Sequence, residues 1–173
     1  FDGTKHTPYV ETDTPCPDSV YGSTKLAGEL AVSKFCKRTM IVRTAWLYSP
    51  FGGNFVKTML RLGKERPELG VVFDQIGTPT YAYDLAVAIM TAVDKGVKPG
   101  IYHFSNEGVC SWYDFTKAIH RIAGITSCRC IHQSILRLPR ARHTAFWTRQ
   151  KSKRHTAWTF LIGKKALKSA SIY

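Results

Sequence analysis

Tyr21 and Lys25 stand four residues apart in YGSTK. On a helix, residues i and i+4 share one face with Cβ atoms about 5–6 Å apart, so the hydroxyl and the ammonium can serve one site. A neighbouring ammonium favours the phenolate and draws the phenol pKa down from about 10. Such a phenol is a general acid able to protonate a carbonyl oxygen while hydride adds to the carbon. Spacing alone is a weak signal. Fewer than one such pair is expected by chance, and the sequence holds two, the second being Tyr113 and Lys117 in WYDFTK. The plain reading of either is a half-buried tyrosine beside a solvated lysine.

The elements that must position these groups follow from pattern. Pro8, Pro15 and Pro17 keep residues 1–18 out of regular helix. Ser19 is placed to cap a helix running to about Arg38, with Leu26, Leu30 and Phe35 among its apolar positions. TMIVRTAW (39–46) reads as a buried strand, Gly52 and Gly53 as a turn, and residues 54–66 as an amphipathic helix through Phe55, Met59 and Leu62. A short strand over 70–75, a helix over 83–96, a strand over 100–105 and a helix over 111–124 complete the series. Strands and helices alternating at this spacing predict an α/β domain with at least partly parallel pairing.

The charge of the 173-residue chain, formally +13, is unevenly spread. Residues 1–128 hold 14 Lys and Arg against 12 acids, a net +2, whereas residues 129–173 hold 11 Lys and Arg and no acid, a net +11. A composition break near residue 128 divides the chain. With 44% hydrophobic residues the chain can bury a core, which excludes global disorder. No apolar run reaches the roughly 18 residues of a membrane span. The five cysteines are odd in number and lack zinc spacing, so they read as reduced thiols of a cytosolic protein. His6, His103 and His120 show no ligand pattern and read as surface or core histidines.

Context favours Tyr21 over Tyr113. The run FDGTKHTPYVETDTPCPDSVYGSTKLAGE resembles the catalytic segment of the extended short-chain dehydrogenases/reductases, and within them the dTDP-4-dehydrorhamnose reductases. Blocks at 42–62, 71–86 and 100–119 continue the resemblance in order, so that it covers essentially all of residues 1–128. It implies reduction of a 4-keto sugar nucleotide, dTDP-4-dehydrorhamnose, to dTDP-L-rhamnose with NADPH or NADH. It further implies Tyr21 as proton donor and Lys25 as the residue that holds the nicotinamide ribose and tunes Tyr21. Trp46 matches an aromatic that packs on the sugar, the plain alternative being a core tryptophan at a strand end. Asn54 and Phe55 open a helix whose backbone N–H groups suit a diphosphate, although Asn54 serves equally well as an N-cap. Gln75, Thr78 and Thr80 lie in a loop that could line the nucleotide site, or simply supply turn chemistry around Pro79.

Two departures stand beside the resemblance. The family's N-terminal half carries a glycine-rich dinucleotide-binding βα unit, and neither GxGxxG nor GxxGxxG occurs in this sequence. The expected fold is therefore the C-terminal portion of a Rossmann-type short-chain dehydrogenase/reductase, without the dinucleotide-binding half and without appreciable reductase activity alone. Residues 1–128 would be the catalytic and substrate-binding portion. The second departure is the basic tail, 129–173. Reverse-translated and read one base early, Phe146-Trp147-Thr148 must encode Leu-Asp, and residues 141–151 permit RPAYSVLDKTK, the motif with which the family ends. The tail is expected to be an out-of-frame, poorly ordered translation with the shift near Ser127–Cys130. The competing function is nucleic-acid binding, with the tail's cations on phosphate and Trp147, Trp158 and Phe160 stacking on bases. The expected partner is a dTDP-sugar in a cytoplasmic setting, with a homodimer left open.

Overall fold

The computed structural model describes residues 1–134. Helix α1 spans Val20–Phe35. Ser19, in extended backbone, caps it by accepting a hydrogen bond from the Gly22 amide at 3.1 Å. β1 (Met40–Arg43) and the short β2 (Leu47–Tyr48) lead to α2 (Phe55–Glu65), which is followed by β3 (Glu68–Val72). Two-residue strands β4 (Ile76–Gly77) and β5 (Thr80–Tyr81) precede α3 (Ala82–Asp94) and β6 (Gly100–His103). The two-residue β7 (Cys110–Ser111), α4 (Trp112–Ile122) and β8 (Arg129–Gln133) follow. The sequence-based elements are present with shifted bounds, the strand read over 39–46 ending at Arg43 and the helix read to about Arg38 ending at Phe35, while β8 and the two-residue β2, β4, β5 and β7 escape the pattern.

Among the described residues, three of the four strand pairings are parallel: β1 with β6, β2 with β5, and β3 with β8, while β4 pairs antiparallel with β7. Parallel partners need long crossovers, which the helices supply. This is the α/β architecture that the alternating pattern predicts. Arg129–Gln133, beyond the charge break, are part of it as β8, in register with Glu68–Val72. The remainder of the predicted tail, residues 135–173, lies outside the described residues.

The core lies where α2 and α4 cross β3. Val56 and Met59 of α2 meet Phe115 and Ile119 of α4, Leu69 and Val71 of β3, and Tyr48, Tyr81 and Cys128. Each of these side chains is buried, which drives the two helices onto the strand. Ser111 starts α4 through a reciprocal capping box with Asp114. Gly63 allows α2 to approach α4 closely: a Cβ there would lie 2.5 Å from His120 Nε2. α1 differs, for none of its residues is buried, and Val20, Leu30 and Phe35 are exposed.

Candidate functional site

Two groups of side chains carry the predicted chemistry. The first is on α1. Tyr21 is 72% exposed, and Lys25 Nζ lies 5.4 Å from the centre of its ring, as one turn of helix dictates. Glu29, one turn further, makes a bidentate contact with Arg43 at the end of β1, with Nη2–Oε2 at 2.6 Å and Nε–Oε1 at 2.9 Å. Arg43 is buried, and its Nη1 lies 3.5 Å from Nε2 of His103, its partner in the β1–β6 register. His103 Nδ1 is 3.3 Å from the Tyr9 carbonyl, and Glu11 accepts from the His103 amide. Burial holds the imidazole at a pKa of about 4, with Arg43 adding to the effect against the opposing pull of Glu11. His103 is thus a core histidine, and so is His120, whose Nε2 lies 3.0 Å from the Met59 carbonyl. Among the described residues no three His, Cys, Asp or Glu side chains converge as a metal would require.

The second group gathers three of the predicted substrate residues around one that sequence reasoning passed over, Trp112. The indoles of Trp46 and Trp112 stack with ring centres 3.5 Å apart and planes 13° apart. Phe55 packs against Trp112 at 4.3 Å, and Trp112 Nε1 donates to Gln75 Oε1 at 3.2 Å. In the sequence Trp112 is only the first helical residue after a cap, and no spacing links it to Trp46. The antiparallel β4–β7 pair, which sets Ser111 opposite Ile76, is what brings α4's first residue beside Gln75.

Asn54 is the N-cap of α2: its Oδ1 accepts from the Lys57 amide at 3.2 Å and its Nδ2 donates to the Ser49 carbonyl at 2.7 Å. With the side chain so engaged, an anion at this end would meet backbone amides of the first turn. Thr78 and Thr80 are buried, at 3% and 0% exposure. Tyr113, the alternative phenol, packs edge-on against His132 at 4.1 Å. All five cysteines carry free thiols, and burial pushes the Cys110 thiol up to about 11. Among the described residues no helix is long and apolar enough to cross a membrane.

A family model described as RmlD substrate binding domain matches residues 1–156. The chain is 46% identical over 125 residues to the spore coat polysaccharide biosynthesis protein SpsK of Bacillus subtilis, an alignment covering 72% of this chain and 44% of that protein. It is 48% identical over 124 residues to the dTDP-4-dehydrorhamnose reductase of Aggregatibacter actinomycetemcomitans, covering 69% of this chain and 42% of the relative. Among solved structures, the dTDP-4-dehydrorhamnose reductase of Bacillus anthracis in complex with NADP superposes with a TM-score of 0.88 at 38% identity. That superposition covers 97% of this chain and 60% of the solved one. The chain thus spans less than half the length of the curated relatives it matches.

Proposed function

This chain belongs to the RmlD substrate-binding-domain family, and from that membership we propose that it forms the substrate-side portion of an NAD(P)H-dependent reductase acting on dTDP-4-dehydrorhamnose. The observation that carries the proposal is the Tyr21–Lys25 pair, exposed on α1 with the ammonium 5.4 Å from the phenol ring centre. Tyr21 donates its phenolic proton to the C4 carbonyl oxygen as the carbonyl becomes an alcohol. The Lys25 ammonium offers donors to ribose hydroxyls. These two residues therefore suit the ribose side of a nicotinamide dinucleotide, which when bound supplies the hydride. Glycine-rich phosphate-binding sequence is not among the residues of this chain. Trp46 provides a flat apolar face for the sugar, and the opening turn of α2 at Asn54 and Phe55 presents amides to the diphosphate. Gln75 orients the aromatic group through Trp112.

The test is a chimera in which residues 1–134 replace the aligned segment of the Aggregatibacter actinomycetemcomitans reductase. NADPH oxidation with dTDP-4-dehydrorhamnose is expected, and Tyr21→Phe in the same chimera should lower kcat by about 100-fold or more while leaving dTDP affinity in place. A folded chimera that turns over equally well with Tyr21→Phe would refute the assignment.

A further inference from the structure

Trp46 is the only non-glycine among the described residues with a left-handed backbone, at φ +49°. For a residue bearing a Cβ that conformation is unfavourable, and it persists only where the surroundings hold it. Three neighbours do so. Trp112 covers one face of the indole. Gly77 leaves the room the indole occupies, since a Cβ there would lie 2.4 Å from Trp46 Cε2 and 2.5 Å from Cζ2. The Thr80 amide donates to the Trp46 carbonyl at 3.1 Å and pins the backbone. Trp112 is itself held by Phe55 on one side and by its hydrogen bond to Gln75.

We propose that Trp112 is a positioning residue for substrate binding: its stacked face, with the gap left by Gly77, holds Trp46 in the strained conformation that presents its indole to the sugar nucleotide. The inference rests on the reading of Trp46 as a substrate contact, but the positioning can be observed without ligand. Gly77 has an ordinary backbone conformation, being absent from the glycines of positive φ. An alanine at 77 therefore acts through the indole rather than through backbone strain. Gly77 belongs to β4, opposite Cys110, whereas Trp112 is the first residue of α4, so the two substitutions act on Trp46 from different elements.

The experiment labels the chain with 5-fluorotryptophan and assigns the Trp46 fluorine resonance by its loss in Trp46→Phe. In the ligand-free chain, Trp112→Leu and Gly77→Ala should both shift that resonance, whereas Trp112→Phe, which keeps a stacking face, should shift it least. Titration with dTDP-L-rhamnose should then show the dissociation constant raised about tenfold in Trp112→Leu and Gly77→Ala, with Trp112→Phe within about threefold of the parent. A general loss of packing would not be restored by Trp112→Phe, which leaves a smaller ring in the same space. A Trp46 resonance unmoved in Gly77→Ala and Trp112→Leu overturns the proposal. Should Trp112→Leu fail to fold, Gly77→Ala and Gln75→Leu carry the same comparison. Failure of the parent chain to bind dTDP-L-rhamnose counts against the substrate reading, while the ligand-free shifts still decide the positioning role.

Discussion

Glu29 grips Arg43 with two carboxylate oxygens, and Glu29 is the third member of the helical stripe that begins with Tyr21 and Lys25. The ion pair joins α1, which buries none of its residues, to the end of β1. Arg43 is only 8% exposed as a side chain and Glu29 20%, so the pair is largely shielded from water and from screening by salt. The pair ties the helix that carries Tyr21 and Lys25 to β1 through a carboxylate one turn away.

Removing that carboxylate leaves a buried guanidinium without its charge partner. Glu29→Ala is expected to destabilise the chain by about 3 kcal/mol, because an uncompensated buried charge costs more than the pair contributes. Urea denaturation reads this directly. Faster amide exchange confined to α1 would show that the pair anchors the helix, and unchanged exchange there would show that it does not.

Gly63 offers a second case where two effects oppose. Alanine in a helix interior is favoured over glycine by about 1 kcal/mol. Here the added methyl would meet His120, whose ring is fixed by the Met59 carbonyl and lies 3.5 Å from Cys130 Sγ. Overpacking typically costs about 1–3 kcal/mol, so Gly63→Ala is expected to lower the melting temperature. A melting temperature raised by the substitution would mean that the α2–α4 contact yields.

His103 makes stability depend on pH. Its neutral form is the native one, with a pKa near 4 against 6.5 for the ordinary side chain. The unfolded chain therefore binds more protons between those values, so stability is full above pH 6.5 and declines as pH falls toward 4. The decline from this group should reach about 2–3 kcal/mol. Denaturation at pH 7 and pH 4.5 should show a smaller pH difference in His103→Asn than in the parent. Equal slopes would place the dependence elsewhere.

A fourth prediction concerns the gene. The register in which residues 141–151 permit RPAYSVLDKTK leads us to propose an inserted or deleted base near codons 127–130. Resequencing that stretch of source DNA checks it, and an unbroken frame through residue 173 would remove the proposal. Residues 135–173 of the tail lie outside the described residues, and a salt-dependent gel shift with residues 129–173 is the direct test of nucleic-acid binding.

Much of the architecture was legible because it depends on local pattern. Ser19, Asn54 and Ser111 cap helices where their side-chain chemistry predicts, and Gly96 and Gly124 follow α3 and α4 in left-handed backbone. The Tyr21–Lys25 juxtaposition was equally legible, since i and i+4 on a helix are neighbours by geometry alone. What could not be read was anything that depends on distant segments meeting. Trp112 is 66 positions from Trp46, and nothing local foretells their stacking. Burial of Arg43 beside His103 follows from a parallel register across a crossover, not from either residue's neighbours. Sequence alone thus determined the helices, the capping residues and the Tyr21–Lys25 juxtaposition, because these are consequences of spacing within one element. Tertiary structure decided which aromatic stacks on Trp46, because β4 and β7 must first come into register, and which carboxylate meets Arg43, because α1 must first pack back on β1.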